Sequence, residues 1–264
     1  MQPAITIVML LVMGIAPILI SMQTWASARA LGFTPGRRAL SAAIAFILLG
    51  GWFGLVLWGA LDGAFVTPIR IYRVPVPIPH VSYLSLGPVI AGSLLVATSA
   101  ATRALLDKTP LWRMTLIQTA RLIGGVFLIG YAMGDIPGVF ALPAGIGDVF
   151  IGLTAPIMAW LVATRGDRVR GLAIGWNILG ILDLVDALTL GFLALGLRVF
   201  PGAQFSASGL LTAFPLVLIP GFGVPLTILV HIVTLRALRS RTETGARVPA
   251  GGTAPGLPGT ASMD

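Results

Sequence analysis

The chain has 264 residues, of which 56% are hydrophobic and only 10% are charged. Soluble domains carry roughly 25% charged residues, so this composition excludes an ordinary soluble protein and indicates a polytopic membrane protein. Cysteine is absent, which excludes disulfides and thiolate metal sites. The formal net charge of +8 comes from arginines at the ends of apolar segments. This placement is typical of topology determinants and of contacts with lipid headgroups, so nucleic-acid binding is not expected.

Seven apolar segments are long enough for a transmembrane helix, which needs about 20 residues. In chain order they cover residues 4–22, 39–61, 84–106, 111–134, 144–163, 171–196 and 209–237. The predicted fold is therefore all-α, a bundle of seven transmembrane helices over residues 1–238. Residues 239–264 are rich in Gly, Pro, Thr and Ala and lack apolar periodicity, which predicts a disordered cytoplasmic tail.

Positive charge alternates between the predicted loops. Most of it follows spans one, three, five and seven, at Arg29, Arg37, Arg38, Arg103, Lys108, Arg113, Arg165, Arg168, Arg170, Arg236, Arg239, Arg241 and Arg247. The opposite loops carry fewer positive residues, at Arg70, Arg73 and Arg198. Because cytoplasmic loops are enriched in Lys and Arg, the C-terminus is predicted to be cytoplasmic and the N-terminus outside. Segment one is interpreted as an uncleaved helix, since no positive residue precedes its long apolar run.

Three charged residues lie near the middle of apolar segments, namely Arg121 in the fourth and Asp183 and Asp186 in the sixth. A charge at the bilayer centre costs about 2.5–3.5 kcal/mol on insertion scales and normally faces the bundle interior beside a partner. With a rise of about 1.5 Å per residue, Arg121 and Asp183 lie at similar depth, and a contact between them is predicted. Two aspartates against one arginine would leave Asp186 as the uncompensated acid, protonated or hydrogen-bonded.

Helical periodicity decides which polar residues can join this site. Gln118 and Arg121 are three positions apart and share a face, so Gln118 is expected to line the same cavity. Asn177 precedes Asp186 by nine positions, which places the two on opposite sides of their helix, and we expect that they do not line one pocket. Asp148 follows the Gly/Pro-rich stretch Leu142–Asp148, which predicts an unwound or re-entrant entry to the fifth span. Asp148 is expected to cap that helix, with a role in an outward-facing site as the alternative.

The seventh span contains Pro215, Pro220 and Pro225, which predict kinks. Broken helices recur at transporter binding sites, but proline is also common in membrane helices generally, and packing is the favoured interpretation. His231 is expected to be a hydrogen-bonded residue near the cytoplasmic interface.

Glycines four positions apart allow close helix approach. Such pairs occur at Gly50 and Gly54 and at Gly171 and Gly175. A homo-oligomer through these faces is therefore a candidate assembly.

Cofactor chemistry is not indicated. His80 and His231 fall on opposite sides of the predicted membrane, so they cannot ligate one haem, and two histidines without cysteine cannot form a three-histidine zinc site. Lys108 is the only lysine and lies in a loop, which excludes a retinal Schiff base in the last helix. We assign no catalytic residue, cofactor site or metal ligand from the sequence.

Four stretches carry a resemblance to a group of small bacterial multi-pass membrane proteins described as hypothetical. They are Gln118–Arg121, Phe140–Asp148, Trp176–Asp183 and Phe214–Pro225. The likeness covers spans four to seven and implies a multi-pass protein of the bacterial cytoplasmic (inner) membrane. The group has no activity that transfers to this chain.

The sequence favours transport or sensing of a small solute or protons through a polar cavity. The candidate cavity residues are Gln118, Arg121, Asp148, Asp183 and Asp186. The expected partners are membrane lipids, a small solute or protons, and a second copy of the chain. Two alternatives are an enzyme acting on a lipid or isoprenoid, with an aspartate as acid or base, and a structural or accessory subunit.

Overall fold

A computed structural model of the chain describes residues 3–66, 80–192 and 211–246. Within these ranges every regular element is helical. The α-helices are α1 Pro3–Ala30, α2 Pro35–Leu61, α3 His80–Thr98, α4 Ala100–Asp107, α5 Leu111–Ile117, α6 Gly125–Ala132, α7 Gly138–Arg165, α8 Arg170–Phe192 and α9 Val224–Ala246. Two 3-10 segments, Gln118–Gly124 and Gly166–Val169, and one π-helical segment, Ile219–Gly223, join them.

Several helical stretches are long and apolar enough to cross a membrane. They are Pro3–Ala30, Pro35–Leu61, Leu111–Ala132, Gly138–Gly191 and Ile219–Arg239. Among the described residues, the count by length and composition is five, or six if the bent pair Ser82–Thr98 and Ala100–Asp107 forms one span. Large apolar side chains such as Leu11, Ile47 and Ile157 are exposed on the outer faces, which suits a lipid environment. The predicted all-α membrane protein is thus confirmed at this level.

The third predicted span, 84–106, is not one straight helix. The chain turns by 92° between α3 and α4. Ser99 caps the new helix by accepting a hydrogen bond from the Thr102 backbone N–H at 3.1 Å. Arg103 donates to the carbonyls of Val96 and Ala97 at the end of α3, at 3.1 and 2.5 Å. Side chains close to the break therefore form hydrogen bonds with backbone groups at both helix ends. Hydropathy alone does not predict this break.

The fourth predicted span corresponds to one continuous helical stretch, Leu111–Ala132. Its middle, Gln118–Gly124, tightens into a 3-10 helix. A 3-10 stretch inside a helix often marks a functional hinge or a strained sequence. Gly134, with φ +78°, follows the end of the span.

The fifth span begins earlier than predicted. Helix α7 starts at Gly138, directly after Pro137, and continues through Pro143 without a break. The unwound or re-entrant entry expected at Leu142–Asp148 is therefore wrong, because the Gly and Pro residues there lie within the helix. Gly166, with φ +51°, ends α7.

Helices α7 and α8 fold back against each other. After the 3-10 turn at Gly166–Val169, the indole N–H of Trp176 on α8 donates to the Thr154 hydroxyl on α7 at 2.9 Å. Helix α8 is described to Phe192, so the predicted end of span six at residues 193–196 lies outside the described residues.

The seventh span is broken at Ile219–Gly223, where the backbone is π-helical. Phe222 in this segment is fully buried, with its ring centroid 4.8 Å from that of Trp52 and 5.0 Å from that of Phe53 on α2. A Cβ on Gly221 would lie 2.8 Å from Val56 of α2. The break therefore packs tightly on α2. The predicted start at residues 209–210 lies outside the described part of the chain.

Helix α9 continues to Ala246, past residue 239, where the sequence predicts the start of a disordered tail. The first part of that tail is therefore helical, and residues 247–264 lie outside the description. At this end of the bundle Arg236 forms a bidentate ion pair with Asp107 of α4, at 2.8 and 3.1 Å. This pair fixes α9 against α4.

Candidate functional site

The 3-10 segment that carries Arg121 lies directly against α7. A Cβ added at Gly152 of α7 would lie only 2.7 Å from the backbone nitrogen of Leu122. This close approach needs a glycine, and it brings the Arg121 side chain into the bundle with 3% of its surface exposed.

Arg121 binds two helices at once. Its Nε donates to Oδ1 of Asp148 on α7 at 2.7 Å, and its Nη1 donates to the carbonyl oxygen of Gly180 on α8 at 3.0 Å. Its Nη2 donates to Oδ2 of Asp183, also on α8. We refer to Arg121, Asp148 and Asp183 as the arginine cluster. Each guanidinium nitrogen has an acceptor, which is the arrangement that a buried arginine requires.

The predicted contact between Arg121 and Asp183 is confirmed. The prediction that Asp148 caps a helix is wrong, because α7 begins at Gly138 and places Asp148 in the helix interior. The Asp148 side chain, 7% exposed, is instead the more deeply buried of the two carboxyl partners of the arginine. Asp148 belongs to the site because it pairs with Arg121, a contact that the local Gly/Pro pattern does not predict.

The prediction that Asp186 lines the site is also wrong. Asp186 is exposed on the outer face of α8, although it follows Asp183 by only three residues. A step of three residues rotates the side chain by about 60° around a helix, and the edge of the buried face falls between these two positions. Asn177 is on the opposite side from Asp186, as expected, and it is buried.

Gln118 is buried on the same face as Arg121, as predicted, but it bonds to α9. Its Nε2 donates to the Thr227 carbonyl oxygen at 3.1 Å. Its Oε1 has no hydrogen-bond partner among the described residues. Gln118 thus ties the 3-10 segment to α9 and presents a free acceptor inside the protein.

His231 is hydrogen-bonded, as predicted, and it is a member of the site that the sequence did not identify. It is fully buried within the protein, and its Nδ1 lies 2.8 Å from Oδ1 of Asn177. Its ring packs over Gly180, the same residue whose carbonyl accepts from Arg121. One signal in the sequence was available: Thr227 and His231 are four residues apart and face the same way.

Three glycines make room for these side chains. A Cβ at Gly124 would collide with the Asp148 carboxyl group, and a Cβ at Gly147 would collide with that of Asp183. At Gly180 the Cβ would lie 2.5 Å from the His231 ring. The glycines therefore serve the polar groups of the site, whereas Gly171 and Gly175 of the predicted pair have no neighbour within 4 Å.

Replacement of Gly180 by Ala is expected to lower the free energy of unfolding by about 1–3 kcal/mol, the usual cost of overpacking. The matched control is Gly175→Ala on the same helix, where the added methyl meets open space. Ala is favoured over Gly within a helix by about 0.5–1 kcal/mol, so this control should be neutral or slightly stabilising. Thermal melts of both variants in one detergent measure the difference. Equal melting temperatures would contradict the assigned packing.

Two small cavities, each of about 40 Å³, meet at Asp148. A water needs about 10–15 Å³ of such volume, so each could hold about three. The first also borders Arg121, and its other walls include Met13, Phe222 and Thr227. The second includes Phe127, Phe140, Gly191 and Leu211. Ile219 and Val224, which flank the π-helical break, line both cavities. Asp148 and the broken helix therefore stand between two spaces that are otherwise mostly apolar.

The described residues contain no group of three or more His, Asp or Glu side chains that could hold a metal ion.

Residues 78–239 match a family model described as a domain of unknown function, DUF8737. The match covers more than half of the chain and includes Arg121, Asp148, Asp183 and His231. The chain belongs to the DUF8737 family. The DUF8737 region starts just before α3, so α1 and α2 precede it, and α1 adds Met13 to the wall of the first cavity. No curated protein and no solved structure matches the chain.

Proposed function

We propose that this protein is a proton-coupled transporter or sensor of a small solute in the bacterial cytoplasmic membrane. The observation that carries the proposal is the arginine cluster, in which one buried guanidinium contacts two carboxyl groups on different helices. Buried ionisable groups inside a membrane bundle commonly mark ion or proton pathways.

The charge of the cluster supports a proton-binding role. One arginine and two ionised aspartates would leave a net charge of −1 in a buried site, and an uncompensated buried charge is costly. One proton shared between Asp148 and Asp183 removes that charge. The cluster then has a neutral state with one proton bound and a charged state without it, and the cost of the charged state can drive a conformational change.

The surroundings support access to that proton. Both cavities border Asp148, and their other linings mostly differ. Between them lies Ile219–Gly223, a broken segment of the kind that recurs at transporter binding sites. A small movement of this segment relative to Asp148 would change which cavity the carboxyl group faces, and we propose that this movement provides alternating access.

The proposal includes seven spans with the N-terminus outside. The stretch Gly138–Gly191 is 54 residues long, about 80 Å as one helix, which is far more than the roughly 30 Å of a bilayer core. Counting α7 and α8 separately, and α3 with α4 as one span, gives seven. The positive residues then fall mainly on the cytoplasmic side.

The test compares two aspartates three residues apart on α8. Asp183→Asn removes a carboxyl of the cluster, and Asp186→Asn is the matched control because Asp186 is exposed outside it. In nanodiscs, infrared spectra are expected to show one carboxylic acid band from the cluster. The band should be absent or altered in Asp148→Asn and Asp183→Asn and retained in Asp186→Asn.

Flux is measured on the same variants in vesicles that contain a pH-sensitive dye. The wild-type protein and Asp186→Asn should dissipate an imposed pH gradient faster than empty vesicles, and the two cluster variants should not. If no carboxyl group of the cluster gains or loses a proton between about pH 5 and 9, the proton-coupled function is wrong.

A further inference from the structure

His231 is a buried histidine whose protonated nitrogen is fixed by its neighbour. The Nδ2 of Asn177 donates to the Ala173 carbonyl oxygen at 2.7 Å, which orients the amide so that Oδ1 faces the imidazole. An amide oxygen only accepts hydrogen bonds. The Nδ1 of His231 must therefore carry the proton, and Nε2 must present its lone pair.

This lone pair is free and lies beside the arginine cluster. Nε2 of His231 is buried and has no hydrogen-bond partner among the described residues. The Cβ position at Gly180 lies 2.5 Å from Nε2 of His231 and 3.3 Å from Nη1 of Arg121. The imidazole edge and the guanidinium therefore meet over the same glycine.

The ionisable groups around His231 come from three elements. The 3-10 segment contributes Arg121, α7 contributes Asp148 and α8 contributes Asp183. Helix α9 itself has no charged residue from Val224 to Leu235. The charged group that lies beside His231 is therefore Arg121, which in turn pairs with Asp148 and Asp183.

We propose that His231 is a second binding site for the proton of the arginine cluster. The proton moves between a carboxyl group of Asp148 or Asp183 and Nε2 of His231. This inference rests on the proposed function. In the step, the O–H bond of the carboxylic acid breaks and an N–H bond forms with the lone pair of Nε2. The aspartate is left as a carboxylate beside Arg121, and no electron is transferred.

The net charge is the same before and after this step. With the proton on a carboxyl group, the charges are one arginine against one aspartate. With the proton on His231, two cations face two carboxylates. Both states sum to zero, so the transfer avoids a buried uncompensated charge. Gln118 bonds to the carbonyl oxygen of Thr227, one helical turn before His231 on α9, and its Oε1 is a second buried group without a hydrogen-bond partner among the described residues.

The transfer also couples the proton to the broken helix. It moves positive charge from α7 and α8 onto α9, which begins directly after Ile219–Gly223. The imidazolium and the Arg121 guanidinium then repel each other across Gly180. The repulsion favours movement of α9 away from the 3-10 segment that carries Arg121, and so alters the wall shared by the two cavities.

The first test is the tautomer of His231 by nitrogen NMR of histidine-labelled protein in nanodiscs. The chain has only two histidines, so a His80→Asn background leaves a single imidazole to observe. We expect a neutral ring protonated at Nδ1, with Nε2 unprotonated, and a second population protonated at both nitrogens. A neutral ring protonated at Nε2 would overturn the proposal.

The second test uses His231→Asn, whose Nδ2 can replace the Nδ1 donor to Asn177 but which offers no site for a proton. We expect pH-gradient dissipation to fall to the level of empty vesicles while the carboxylic acid band in the infrared spectrum remains. Retained dissipation of the pH gradient would overturn the proposed proton transfer to His231 and leave the proposed function standing.

Absence of the carboxylic acid band from the wild-type protein would instead count against the proposed function. His231→Gln, which places an amide near the Nε2 position, repeats the flux test if His231→Asn does not fold.

Discussion

Replacement of Arg121 by Gln is expected to lower the free energy of unfolding by about 3–5 kcal/mol, because removal of one partner of a buried ion pair leaves the other charge uncompensated. Here two carboxyl groups, those of Asp148 and Asp183, lose their common partner. The carbonyl oxygen of Gly180 also loses the donor at 3.0 Å. Thermal and denaturant melts in one detergent measure the loss.

The control is the same substitution at the surface. Arg236 forms a bidentate pair with Asp107, but both side chains are partly exposed, at 28% and 48%. Exposed pairs contribute about 0–1 kcal/mol to stability. The melting temperature of Arg236→Gln should therefore be close to that of the wild-type protein. Similar losses in the two variants would contradict the burial of the cluster.

A triple variant separates stability from function. Arg121→Gln combined with Asp148→Asn and Asp183→Asn replaces three charges by three amides that can still hydrogen-bond to one another. Exchange of a whole buried ionic group for a neutral one is often tolerated, unlike removal of one member. We expect the triple variant to recover most of the lost stability while its carboxylic acid band and proton flux stay absent. Recovery of flux along with stability would mean that the charges serve folding alone.

The sequence predicted the parts of this site that depend on depth and helical phase. Arg121 and Asp183 are charged residues at matched depth in apolar segments, and the cost of burying a charge is enough to predict that they meet. The three-residue spacing of Gln118 and Arg121 predicted that the two side chains lie on the same face of the helix. The opposite placement of Asn177 and Asp186 followed in the same way.

The parts that failed depend on tertiary contacts. Asp148 looked like a cap because a Gly/Pro stretch precedes it, but where α7 begins is decided outside that stretch, at Pro137. Asp186 and Asp183 differ by about 60° of helix rotation, and only the packing of neighbouring helices decides which one is buried. Nothing in the sequence around His231 predicts its contact with Asn177, which lies 54 residues earlier in the chain.

The close contact between α7 and the 3-10 segment carries a second large prediction. Gly152→Ala is expected to lower the free energy of unfolding by about 3 kcal/mol, the upper part of the usual range for overpacking. The added Cβ would lie 2.7 Å from a backbone nitrogen, that of Leu122, and 2.9 Å from the Leu122 Cγ. A backbone atom cannot rotate away, so the two segments must separate.

Separation at Gly152 should also disturb the cluster, because Arg121 adjoins Leu122 and Asp148 lies one helical turn before Gly152. We therefore expect the carboxylic acid band of Gly152→Ala to shift in the infrared spectrum as its melting temperature falls. Gly54→Ala on α2 is the control, since no heavy atom lies within 4 Å of the added methyl, and it should change neither quantity. A variant at Gly152 that melts like the wild-type protein with an unshifted band would show that Arg121 does not depend on this contact for its position.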